Sequence, residues 1–162
     1  MVELKLYNTP IEISIRILLI LNRFKRALEI NSIIIYDHLM LHIGDVDKNC
    51  LSLHPANPYH ATELLAKRRT VQSAINLLMK KGLVNIICSK DGFKYKDSEI
   101  GEYFLSYFES EYYFKLCNNV DILAERFSDF TEAELNEFIN NNIHMWKDET
   151  KTDILFRGEF ID

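Results

Sequence analysis

Cysteine is scarce in this chain, and its placement excludes more than its number does. Cys50, Cys88 and Cys117 are odd in count and far apart, with no C-x-x-C pair. They supply neither a disulfide framework nor a cysteine zinc site, and read as reduced, buried or half-buried small residues of a cytosolic protein. Long apolar runs are missing too. The most apolar stretch, Ile11 to Leu21, is too short to span a bilayer and contains Glu12 and Arg16. The first ten residues lack the basic-then-apolar order of a signal peptide. These absences imply a soluble, cytoplasmic protein. No activated nucleophile and no catalytic motif stands out, so an enzyme is not expected and no cofactor is implied. There are no repeats of domain size and no low-complexity tract.

Positive charge is also in short supply, but it is concentrated. The chain carries 19 basic and 24 acidic residues, for a net charge of −5. Leu64 to Lys96 holds eight of the basic residues (Lys67, Arg68, Arg69, Lys80, Lys81, Lys90, Lys94, Lys96) against one acid, Asp91. A net-acidic protein is repelled by nucleic acid unless its cations share one face, which makes this segment the candidate site.

With 162 residues and 48% hydrophobic content, the chain can bury a real core as one domain with an extension. Thr9-Pro10-Ile11-Glu12 is a strong helix start: Thr9 caps, Pro10 suits the first position and Glu12 can close a capping box. The helix it opens, over about residues 10–28, is apolar almost all round and therefore mostly buried. Leu28 to Ile30 can pair briefly as a strand. Asn31 or Ser32 is expected to cap a second helix running to Ile43, where Gly44-Asp45 stops it. Residues 45–60 contain two prolines and several turn formers and read as a long loop. A third helix over about 61–81 has an inward stripe of Val71, Ala74, Ile75 and Leu78, ended by Gly82. Its opposite face carries Arg69, Gln72, Ser73, Asn76 and Lys80. Asp91-Gly92 then reads as the two-residue connector of a hairpin, with Lys94 and Lys96 on one face of the second strand and Phe93 and Tyr95 on the other.

The last third is helical. Ser98 caps a helix with Ile100, Tyr103, Phe104 and Tyr107. The next repeats Tyr113, Leu116, Val120, Leu123 and Phe127 at three- and four-residue steps; with fewer than three heptads, intramolecular packing is the default. Thr131 and Glu134 form another capping box, followed by Leu135, Phe138, Ile139 and Trp146. Tyr103, Phe104, Tyr107, Phe108, Tyr112, Tyr113 and Phe114 crowd together in the acidic third, which favours a packing surface over a base-stacking platform. Part of that surface can remain open to a partner.

The expected fold is α+β, mostly α-helical: a winged-helix-like core over residues 1–97, a helical extension over 98–146 and a tail over 147–162. On charge and helical geometry, Arg68, Arg69, Gln72, Asn76, Lys80, Lys90, Lys94 and Lys96 are the candidate DNA-binding residues. Arg68 and Arg69 would fork onto phosphates, and Gln72 and Asn76 would reach base edges. The plainer reading is a solvated helix face, or a basic patch that docks on an acidic protein. Ile154, Leu155, Phe156 and Phe160 in the tail are candidate partner contacts; folding back onto the domain is the equal alternative. His38 and His42 have a two-ligand metal spacing, but no third ligand is specified, so no metal site is assigned. The reading preferred for that region is a polar cluster of Asp37, His42 and His54-Pro55 that pins the long loop.

Several phrases recur together in one family: Asn8-Thr9-Pro10-Ile11-Glu12-Ile13, Tyr36-Asp37-His38-Leu39, His42-Ile43-Gly44-Asp45, Ser52-Leu53-His54-Pro55-Ala56, Glu63-Leu64-Leu65 and Gly82-Leu83-Val84. Their order resembles the middle components of bacterial ABC-three-component systems, whose relatives include the small accessory subunit of Lamassu-type anti-phage defence complexes. The likeness spans about residues 7–127. It implies a non-catalytic adaptor beside an SMC-like or ABC-type ATPase subunit and an effector nuclease subunit, with double-stranded DNA reached through the complex. It brings no residue set of its own. A stand-alone winged-helix transcription regulator is the alternative reading, and would normally need a dimer. A metal-dependent enzyme is a third.

Overall fold

The computed structural model describes residues 9–53 and 60–142. Six helices and one hairpin follow in the order α1 (Pro10–Phe24), α2 (Ile30–Leu41), a short 3-10 turn (Ile43–Asp45), α3 (His60–Lys80), β1 (Val84–Ser89), β2 (Gly92–Asp97), α4 (Glu99–Leu105), α5 (Glu111–Arg126) and α6 (Glu132–Asn142). The chain is α+β and mostly α-helical, as its periodicities imply.

α1 is the hub. It packs against α2, α3, α4, α5 and β2, and Ile17 to Leu21 are completely enclosed. That explains a helix apolar on every side: it has no solvent face over most of its length. Its start matches expectation in part. Thr9 Oγ1 accepts from the Glu12 amide at 3.2 Å, but the Glu12 carboxylate does not complete the box, because Arg16 and Tyr112 both donate to it at 3.1 Å. Its end differs from expectation. Lys25 turns left-handed (φ 56°) and stops the helix four residues before the expected residue 28. The early stop frees Leu28 to exchange backbone hydrogen bonds with Tyr95 at 2.9 and 2.8 Å, which is the short pairing anticipated at Leu28 to Ile30.

α2 begins at Ile30 with Glu29 at the cap position and no side-chain cap. The two expected caps are engaged elsewhere. Asn31 Oδ1 accepts from Arg68 at 2.7 Å, and the Ser32 hydroxyl donates to the Glu132 carboxylate of α6. α2 also stops at Leu41, before the expected Ile43, and the chain tightens into the 3-10 turn.

α3 closes with a Schellman motif. Gly82 takes φ 71°, its amide donates to Met79, and the Leu83 amide reaches back to Leu78 at 2.9 Å. The buried side chains of Leu78 and Leu83 bracket the turn. A Cβ on Gly82 would meet nothing closer than 3.9 Å, so only the backbone opposes substitution. Gly82→Ala is expected to cost about 1–2 kcal/mol, read as a lower urea midpoint with unchanged slope.

The hairpin is antiparallel, with Val84 opposite Asp97 and Ser89 opposite Gly92. The connector is therefore Lys90-Asp91, one residue earlier than expected. Gly92 supplies the positive φ (118°) as the first residue of β2, and neither connector residue has one, so the turn is not of the I′ type that Asp-Gly usually signals. Phe93 and Tyr95 lie on the same face by the strand's two-residue period, but burial is uneven along it. Tyr95 is buried against Leu28, while Phe93 near the tip is 61% exposed.

α5 lies on α1 and α2, with Leu116, Val120, Leu123 and Phe127 inward, so the predicted seam packs within the chain. One hydrophobic cluster runs from α1 through the hairpin base to α6. The crowded aromatics divide. Tyr113 is buried and Phe108 and Tyr112 are half-buried, whereas Tyr103, Tyr107 and Phe114 are exposed.

Candidate nucleic-acid interface

The basic segment is built from one helix face and one hairpin. On α3, the stripe Val71, Ala74, Ile75 and Leu78 is buried against α1 and α2. Helical geometry then leaves Arg69, Ser73, Asn76 and Lys80 exposed, with Gln72 partly so. The structure gathers those residues on one surface. Gln72 Nε2 donates to Asn76 Oδ1 at 3.1 Å, so the two side-chain amides are tied to each other. Arg68 is exposed but turned toward the start of α2, where it meets Asn31.

Lys67, the first cation of the run, is no part of this surface. It is buried, and its Nζ lies 3.3 Å from Asp37 Oδ2. The hairpin lysines have their own neighbours. Lys90 is exposed at the tip. Lys94 faces the start of α6, where burial and Glu29 push the Glu132 carboxyl above its ordinary range against the pull of Lys94 and Arg26. Lys96 shares a cleft of about 780 Å³ with Asn22, Lys25, Asp97 and Glu102. The described lining of that cleft comes from α1, the end of β2, α4 and α5 and includes nothing from α3. Lys96 is thus interleaved with acids in a cleft that the α3 group does not line. The tail residues Ile154, Leu155, Phe156 and Phe160 lie outside the described residues, as do His54 and Pro55.

The polar centre of the molecule was not anticipated. Arg16 Nε and Nη2 fork onto Asp37 at 2.6 and 3.1 Å, and Arg16 Nη1 reaches Glu12 at 3.1 Å. Lys67 closes the group from α3. Burial by itself would raise the Asp37 carboxyl, but Arg16 and then Lys67 outweigh it and hold the group down at about 2. Burial pushes Glu12 upward against the pull of Arg16. Asp37 therefore belongs to this cluster with Arg16 and Lys67, while the expected grouping of His42 with His54-Pro55 falls partly outside the described residues. The rings of His38 and His42 do lie together, 4.5 Å apart and buried. Among the described residues no group of three or more His, Cys, Asp or Glu is placed to hold a metal ion. The signal for the cluster was present in the sequence: an arginine inside a helix with no solvent face must find a buried partner.

Residues 6–149 match the family model described as "ABC-three component (ABC-3C) system Middle Component 2". The chain belongs to that family. As a middle component, it is one part of a multi-subunit system and works with protein partners, in a family whose role is accessory and non-catalytic. No curated protein and no solved structure matches the chain. No helix among the described residues is long and apolar enough to cross a membrane.

Proposed function

We propose that this middle component is a non-catalytic adaptor that bridges an SMC-like or ABC-type ATPase and an effector nuclease in an anti-phage complex of the Lamassu kind. Its α3 face, Arg69, Gln72, Asn76 and Lys80 with Arg68 beside them, lies against DNA in the assembled complex. The hairpin follows α3 as the wing of a winged helix, and Lys90, Lys94 and Lys96 add charge near the phosphates. The observation that carries the reading is the exposure of this cationic helix face on a chain that is otherwise acidic. The acidic remainder weakens autonomous binding, so a partner that adds its own positive surface is part of the proposal. The C-terminal apolar residues Ile154, Leu155, Phe156 and Phe160 are assigned to partner contact on sequence grounds.

The test has two stages. A tagged copy expressed with its neighbouring open reading frames should recover a long coiled-coil ATPase and an effector at fixed stoichiometry. Recovery of a lone dimer that shifts one specific duplex would replace the adaptor with a transcription regulator. The complex should then bind duplex DNA with an affinity that falls steeply with salt. Reversing charge at Arg68, Arg69, Lys94 and Lys96 should flatten that salt dependence and abolish the DNA-dependent response without unfolding the chain. Near-normal binding and activity from the quadruple variant would remove these residues from the site.

A further inference from the structure

A second surface lies where α1, α3 and α4 meet. Ile11 from α1, Leu77 from α3, and Ile100, Phe104 and Tyr107 from α4 and its exit line a groove of about 500 Å³. Ile11, Ile100 and Tyr107 are well exposed, at 69%, 52% and 83%, while Leu77 and Phe104 are less so, at 36% and 38%. Exposed apolar residues scattered singly need no explanation, but several converging on one concave surface mark an interface. Lys81 is the one charged side chain in the described lining, and it stands at the α3 edge.

We infer that this groove receives an amphipathic helix from one of the other components of the system. The inference rests on the adaptor reading. Two features select the occupant. The walls are helices and the floor is apolar, which fits a helix presenting residues at i, i+3 or i+4 and i+7, and does not fit DNA. The lone cation, with no acid in the described lining, calls for a carboxylate at the edge of the incoming helix, beside Lys81. The cationic surface of α3 at Arg69, Gln72 and Asn76 stays outside the groove, so a seated helix leaves the proposed DNA face open.

The experiment uses the co-expressed complex. Ile11→Gln, Ile100→Gln and Tyr107→Gln together remove the apolar floor at exposed positions, and Lys81→Glu reverses the edge charge. Benzoylphenylalanine placed at Tyr107 of the otherwise native chain reports what lies against the groove. Expected are at least a tenfold loss of one component from the triple variant at unchanged melting temperature, retention of the other component, and a similar loss from Lys81→Glu. The crosslink should fall in a helix of the lost component that carries an acidic residue next to its apolar face. Retention of both components by the triple variant overturns the inference alone. A crosslink confined to a second copy of this chain, or to the chain itself, also overturns it. Recovery of no component by the native chain overturns the adaptor reading and this inference together.

Discussion

Asp37→Ala is expected to lower the unfolding free energy by about 3–5 kcal/mol, the range for breaking a buried ion pair from one side. Asp37 is fully enclosed and receives two hydrogen bonds from Arg16 and an ion pair from Lys67. Without it, both cations stay near the centre of the fold and Arg16 loses two hydrogen bonds, while burial disfavours the charge of its Glu12 partner. Urea denaturation should show the loss as a lower midpoint. A double replacement, Arg16→Met with Asp37→Leu, should recover most of it, because well-packed apolar substitutes for a buried pair often match its stability. A single-site loss below about 1 kcal/mol would mean that the cluster is not the tie it looks to be.

The same group contributes to the loss of stability in acid. The Asp37 carboxyl titrates at about 2 in the fold against an ordinary 3.8, so its stabilisation is complete above pH 3.8 and disappears as pH falls toward 2. The depression is worth on the order of 2 kcal/mol over that window. Glu12 works in the opposite sense: its raised carboxyl binds a proton more readily in the fold, so it does not add to the acid loss. Wild-type stability should therefore hold down to about pH 4 and then drop, and Asp37→Ala should lack the Asp37 share of that drop.

What could be read from the residues alone followed local chemistry. Thr9-Pro10 placed the start of α1, the stripe Val71, Ala74, Ile75 and Leu78 placed α3, and Gly82 placed its end, because each signal acts within one turn of backbone. The misses came where a distant residue overruled a local rule. Asn31 and Ser32 are good caps, yet each is held by a side chain from another helix, Arg68 and Glu132. Lys25 ends α1 in a conformation that usually goes to glycine, and Leu28 must turn there to reach Tyr95, 67 positions away. The candidate site divided in the same manner. Helical spacing was enough to unite Arg69, Gln72, Asn76 and Lys80. Charge counting placed Lys67 in the basic segment, though not among the candidate DNA contacts, and only the packing of α3 on α2 shows that it turns inward to Asp37.

The end of α5 and α6 meet α1 and α2 through a line of rings, and Phe127→Ala tests what those rings hold. Phe127 is completely buried, with Phe130 and Phe138 packed edge-on at 4.8 and 5.1 Å and Tyr36 of α2 at 5.8 Å. Tyr36 in turn lies 4.3 Å from Phe24 at the end of α1. A line of aromatic contacts thus joins α1, α2, the end of α5 and α6. Arg26 reinforces it by donating to the Phe127 and Phe130 carbonyls at 3.1 and 3.0 Å. Truncating the central ring removes two edge-on contacts and one tilted contact and leaves a cavity between the flanking helices. A loss of about 3–5 kcal/mol is expected. The damage should be uneven. α6 keeps Leu135 and Ile139 buried and retains the Ser32–Glu132 bond, but it loses the ring against which Phe138 rests. Amide hydrogen exchange should therefore accelerate first in residues 132–142, while Ile17 to Leu21 in α1 stay protected until global unfolding. If α6 amides keep their protection in the variant, the polar contacts at Ser32 and Arg26, and not the rings, hold the extension in place.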